Sequence, residues 1–221
     1  MSPTRFALVA FDLDGVLVDT SRSHARAYAE LWERLGTAGP PYADIAGRRT
    51  AEVVLEVAAP LGLDAARLEE AVGFKQRRAR ELLTREAVVF EDAAPCVRSL
   101  GARGVCLALG TAASRETVQL ALAWLGLAGA FDVVVSAEDV RIGKPGPEVY
   151  RLCCARADVE PSRTLVVEDS AAGIAAARAA GTWLACVRSG LAEPGSRCLG
   201  SFTDLRALEL ALARGERCPG P

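Results

Sequence analysis

Lysine is almost missing from this chain: of 26 basic residues, only Lys75 and Lys144 are lysines. Arginine is therefore the default cation, and each lysine marks a position where a compact ammonium is needed. Histidine is scarcer still, with His24 alone. Neither sign of charge dominates, since 26 basic residues face 28 acidic ones for a net charge of −2. That leaves no electrostatic footprint for nucleic acid. No apolar run approaches the roughly 20 residues of a membrane helix, so no membrane partner is expected. The seven cysteines (Cys96, Cys106, Cys153, Cys154, Cys186, Cys198 and Cys218) form no CxxC pair and no zinc spacing. They read as reduced thiols, mostly small core residues, and predict a cytoplasmic setting. The first five residues lead into a short strand ending in Asp, not into the apolar segment of a secretory leader.

What is present is an apolar run, residues 6–11, that stops at Asp12. A continuous run of this length fits a strand buried on both faces. Asp14 follows at spacing two and Gly15 turns the chain. Asp12 then stands at the carboxyl end of a buried strand, where open α/β sheets bind their ligands. Two carboxylates this close repel unless a cation lies between them or one holds a proton. Carboxylate oxygens suit Mg²⁺, and a carboxylate can also attack phosphorus. A turn merely rich in Asp is the plainer alternative for a lone DxD.

The rest of the chain alternates. Ala25, Tyr28, Leu31, Trp32 and Leu35 recur at helical spacing, with Thr20 or Ser21 as cap and Gly36 as stop. Further helices are predicted over 50–59 and 64–85, with Asp64 as a cap and no strand between about 20 and 87. Beyond 88, strands over 105–109, 131–135, 164–167 and 183–187 alternate with helices closing near 101–104, over 115–125, 147–156, 171–180 and about 203–213, and 215–221 reads as a frayed tail. Alternation of this kind argues a doubly wound parallel sheet, here α/β with an inserted all-helical cap. The core is expected from 1–18 and 88–221, and the cap from 19–87.

In a parallel sheet the strand ends share one edge. Thr111 follows a strand, and its hydroxyl with the backbone amides beyond it, at Ala112, could bind phosphate oxygens; a Thr/Ser helix cap is the alternative. Lys144 lies between turn formers in the string from Gly143 to Glu148, where an ammonium would offset charge between carboxylate and phosphate. Glu168 and Asp169 leave a buried strand as a helix begins, which suits metal ligation; acids are also ordinary partners of a helix dipole.

The string from Phe11 to Thr20, with Thr111, the segment 143–148 and the segment 166–174, resembles in order and spacing the four motifs of the haloacid dehalogenase superfamily of phosphatases and phosphomutases. The resemblance covers nearly the whole chain. It implies Asp12 as nucleophile, Asp14 as general acid/base, Thr111, Ala112, Gly15 and Lys144 at the phosphate, and Mg²⁺ held by Asp12, Asp14 and Asp169, with Glu168 beside the metal or on one of its waters. His24 on the first cap helix is similar to the hinge histidine of the β-phosphoglucomutase-like branch, and phosphoglycolate phosphatases share the motifs. The branch's mutases carry an arginine three residues after a cap glycine. Here Gly47 is followed at that place by Thr50, with Arg48 and Arg49 shifted, while Lys75 could match the mutases' later cap lysine. This favours a phosphatase on a small phosphorylated metabolite over a mutase, with Arg49 a candidate substrate contact. A catalytically idle fold used for binding and, more weakly, a dehalogenase are the remaining alternatives. The sequence leaves the oligomeric state between monomer and weak dimer.

Overall fold

The computed structural model of the chain describes residues 5–86, 88–191 and 197–214. The expected tail at 215–221 and Cys218 lie outside the described residues. The central strand β1, Leu8–Phe11, is wholly buried. Its side chains alternate: Val9 and Phe11 join one apolar cluster, Leu8 and Ala10 the other. Burying each large side chain contributes about 1.5–3 kcal/mol, which fixes this strand at the middle.

β1 pairs in parallel with β4 (Cys106–Gly110) on one side and β6 (Thr164–Glu168) on the other. β5 (Val133–Val135), β7 (Trp183–Val187) and β8 (Cys198–Phe202) complete a six-stranded sheet in the order β5-β4-β1-β6-β7-β8. Helices α5 (Ala93–Ala102), α6 (Arg115–Trp124) and α9 (Leu205–Arg214) supply Val97, Val118 and Leu208 to one face. α7 (Glu148–Ala157) and α8 (Ala171–Ala180) supply Tyr150 and Ile174 to the other.

The sheet has one strand more than the sequence suggests. β8 carries Gly200 in its middle and a register shift against β7, so it lacks the apolar run that betrays the other strands. A second small sheet also escapes periodicity, because each strand has two residues: β2 (Val18–Asp19) pairs antiparallel with β3 (Val88–Val89). Between these strands lies the helical insertion: α1 (Ser21–Leu35), α2 (Tyr42–Ile45), α3 (Thr50–Ala58) and α4 (Ala65–Glu86). Its own core joins Tyr28, Leu31, Trp32, Val53, Val54 and Ala71. Asp64 caps α4 as expected, accepting from the Arg67 N–H at 2.9 Å. Thr20 occupies the N-cap position of α1 without making a cap bond, because its hydroxyl serves Asp14 instead. No described helix is long and apolar enough to cross a membrane, and no disulfide links the six described cysteines.

Candidate active site

The carboxyl edge of the sheet gathers the polar strand ends. Asp12 directly follows β1, its N–H bonded to the Val167 carbonyl at 3.0 Å, and is 2% exposed. Lys144 arrives from the loop after β5, wholly buried, and donates to Asp12 Oδ1 at 2.7 Å and Glu168 Oε1 at 2.6 Å. Glu168 ends β6 and Asp169 follows it. Gly15, at φ +79°, turns the chain beneath Asp169; any Cβ there would strike the Asp169 carboxylate, so this close approach requires glycine.

Glu168 is saturated by protein donors. Oε1 also accepts from the Tyr150 hydroxyl at 2.6 Å, and Oε2 accepts from the Asp169 and Ser170 N–H groups and the Ser170 hydroxyl at 3.0–3.1 Å. Burial pushes the Glu168 carboxyl up, but Lys144 outweighs it and holds it below the usual range. Asp12 and Asp169 are less compensated. Burial pushes Asp12 up to about 7 against the pull of Lys144, and burial with the neighbouring acids pushes Asp169 up to about 9. One ammonium thus faces two buried acids and a half-buried one. Asp12, Glu168 and Asp169 offer oxygens within 4.8 Å of one another, an acidic cluster that could hold a metal ion; Asp14, expected at the metal as well, is not one of the three. A hard-oxygen set short of positive charge fits a divalent cation such as Mg²⁺.

Asp14 lies at the hinge beneath the cap. Burial raises its pKa, but His24 and Thr20 prevail and hold it below the usual carboxylate range. The Thr20 hydroxyl donates to Asp14 Oδ1 at 2.7 Å, while His24 Nε2 lies 3.6 Å from the same oxygen. On its other side His24 Nδ1 meets the Lys75 ammonium at 2.9 Å. An ammonium only donates, so Nδ1 accepts and the proton belongs on Nε2, facing Asp14. Burial and Lys75 both lower the His24 pKa, which keeps the ring neutral at pH 7.

Thr111 follows β4, and its Oγ1 accepts from the Ala113 N–H at 3.0 Å. Ser114, not Thr111, caps α6 by accepting from Thr117 N–H. The Thr111 hydroxyl proton is therefore available to a ligand, and Ala112 lines the cleft beside it. The cleft between cap and core is also lined by Asp14, His24, Tyr42, Arg48 and Lys75. Arg49 is placed differently from a substrate contact: its guanidinium donates to the Arg141 carbonyl at 2.8 Å and pairs with Glu52 at 3.5 Å.

Three neighbours were given no site role by the sequence. Tyr150 is six residues past Lys144 and reads as an ordinary core aromatic. Thr20 reads as a helix cap. Tyr42, whose ring stacks on His24 with centroids 6.3 Å apart, sits on a four-residue helix too short to show a period. The rarity of lysine did point to Lys75.

Lys75 is 4% exposed, and burial draws its ammonium down from 10.5 to about 8. Above pH 8 the folded chain sheds a proton that the unfolded chain keeps, so this group's contribution to stability rises with pH. Wild type is expected to gain about 2 kcal/mol relative to Lys75→Met between pH 7 and 10. Denaturant melts of both proteins across that range check this; parallel curves would contradict it.

A family model described as haloacid dehalogenase-like hydrolase matches residues 6–181. The phosphorylated carbohydrates phosphatase of Thermotoga maritima is 33% identical over 180 residues, 78% of this chain and 81% of the relative. The fructose-1-phosphate phosphatase YqaB of Escherichia coli is 33% identical over 183 residues, 80% of this chain and 94% of the relative. A crystal structure of CbbY from Rhodobacter sphaeroides in complex with phosphate superposes with a TM-score of 0.76 at 25% identity, covering 92% of this chain and 96% of that one. The chain belongs to the haloacid dehalogenase-like hydrolase family. Within it, the chain is a phosphatase, a phosphoric monoester hydrolase.

Proposed function

We propose that the protein is a Mg²⁺-dependent phosphatase of small sugar phosphates that works through a phosphoryl group carried on Asp12. The observation that supports this most is the buried Asp12–Lys144 pair at 2.7 Å, with Asp14 at the hinge and Asp169 beside it. The names of the relatives, a phosphorylated carbohydrates phosphatase and a fructose-1-phosphate phosphatase, support the substrate class.

Lys144 occupies Asp12 Oδ1, leaving Oδ2 to attack phosphorus in line. The bond from phosphorus to the sugar oxygen breaks as the new one forms. That oxygen leaves with the electron pair and takes a proton from Asp14. Asp14 then takes a proton from water, whose oxygen attacks the same phosphorus and frees Asp12. Asp14 is ionised in the free protein. A phosphate dianion alongside disfavours its charge, which is how it acquires the proton for the first step. Lys144 neutralises charge on the transferring group, and Thr111 Oγ1 with the Ala112 amide holds its oxygens. Asp12 and Asp169 would hold Mg²⁺, with Glu168, its oxygens already engaged by protein donors, beside the ion. Bound there, the ion would supply Lewis-acid shielding of the transferring group.

A phosphomutase would need cap cations for a second phosphate. Arg49 is engaged by Arg141 and Glu52, and Arg48 by Glu56 at 2.6 Å, which leaves Lys75, bonded to His24 and Thr50, as the remaining cation of the cleft lining and favours hydrolysis. The test is a panel of phosphorylated sugars with Mg²⁺. Free phosphate, abolished by chelator and absent from Asp12→Asn, is the expected result. Isomerised sugar phosphate without free phosphate would establish the mutase, and no turnover of any ester would end the proposal.

A further inference from the structure

The first turn of α3 grips the loop that carries Lys144. Glu52 Oε1 accepts from the Gly143 N–H at 2.7 Å, and Arg49 donates to the Arg141 carbonyl at 2.8 Å. Both bonds run from cap to core, and both end on backbone within three residues of Lys144. The fit is tight: a Cβ on Gly143 would lie 2.5 Å from Arg49 Cγ and 2.9 Å from Glu52 Oε2, so only glycine lets the cap descend this far. The cap rests on the core at a second point of the same network. A Cβ on Gly47 would collide with Ser170 Oγ, the hydroxyl that donates to Glu168. The two seats therefore flank the two residues of the buried Lys144–Glu168 pair.

We infer that Glu52, with Arg49, is a positioning residue: seated on the backbone of 141–143, it locks the Lys144 loop so that the ammonium is aligned on Asp12 while the cap is closed. Cap closure and charge placement are then one event. An open cap leaves the Gly143 N–H without its acceptor, while Glu148, which accepts from the Arg141 and Ile142 N–H groups at 2.9 and 2.8 Å, still holds the start of the loop to the core. A cap that closes over substrate thereby completes the site beneath it. Glu52 also sits in the first turn of α3, where an acid is an ordinary dipole partner. That role alone would affect helix stability and not turnover.

The consequence for rate rests on the phosphatase reading; the backbone contact does not, so the two are tested separately. Amide exchange at Gly143 is followed by NMR in the full-length chain without substrate. A charge-assisted hydrogen bond of this kind is expected to protect the amide at least about tenfold over Glu52→Ala, with Glu52→Gln, which keeps an acceptor oxygen, restoring most of it. Turnover of a hexose phosphate with Mg²⁺ is then measured in wild type, Glu52→Ala, Glu52→Gln, Gly143→Ala and the Glu52→Ala/Gly143→Ala double variant. Glu52→Ala is expected to lower kcat about tenfold with KM within about twofold, Glu52→Gln to recover it, and the double variant to be no slower than Gly143→Ala. Unchanged Gly143 exchange in Glu52→Ala, unchanged kcat, or losses that multiply in the double variant would each overturn the inference. A wild-type protein inactive on every ester would instead sink the phosphatase reading, with the exchange result still reporting on the latch.

Discussion

Asp12→Asn is expected to lower turnover by at least about 10⁴-fold, because the substitution removes the attacking oxygen and no neighbouring group can replace it. Stability should move the other way. Burial pushes the Asp12 carboxyl up to about 7 in the protein alone. The folded chain therefore holds a proton that the unfolded chain has lost between about pH 4 and 7, and stability from this group falls as pH rises through that window. Asparagine carries no such penalty and can still accept from Lys144. Measured in chelator, the thermal midpoint of Asp12→Asn relative to wild type should be higher at pH 8 than at pH 5. An inactive but well-folded variant is the signature of a strained, functional carboxylate. A variant that loses its fold along with its activity would mean that Asp12 is needed structurally.

Lys144→Met should behave in the opposite manner and lose both. The ammonium is the single protein cation bonded to Asp12 and Glu168, at 2.7 and 2.6 Å among the described residues. Removing it leaves buried acids uncompensated, a change that costs about 3–5 kcal/mol. Turnover should fall by about 10²–10³-fold through loss of charge stabilisation on the transferring group. The pH dependence separates this from a simple packing defect. In wild type Glu168 is held below its usual range, so its stabilisation is present at neutral pH and lost as pH falls through that lowered value. Without Lys144, burial dominates, the folded chain retains protons on Glu168 and Asp12, and stability falls as pH rises. The penalty of Lys144→Met should therefore be smaller at pH 5 than at pH 8 in chemical denaturation. An equal penalty at both would indicate lost packing against Tyr150 and not lost charge.

The contrast between these two substitutions follows from features that differ in how far sequence exposes them. The acids at the ends of β1 and β6 and the lysine between turn formers stand out because each interrupts an apolar run or a cation preference; their shared edge follows from parallel topology. What sequence left open was which hydroxyl does what. Thr111 and Ser114 are both candidate caps of α6, and only the structure shows Ser114 taking that role. Thr20 likewise has two uses, and a helix cap is the local one; the bond to Asp14 depends on how the hinge strands β2 and β3 fold the chain back. Tyr150 and Glu52 were invisible for a different reason. Each acts through a contact far away in sequence, and a core tyrosine or a first-turn glutamate has an adequate local explanation already. β8 was missed because an edge strand with a glycine and a register shift needs little apolar character.

The proposed reaction depends on a phosphoryl group resting on one side chain, that of Asp12. The most direct measurement is to quench the protein during turnover of a sugar phosphate with Mg²⁺ and map the acid-stable phosphoryl label by mass spectrometry. Label on the peptide containing Asp12, released by hydroxylamine and missing from Asp12→Asn, is the predicted result. Full turnover with the label on another residue, or with none at any stage of a single turnover, would contradict it.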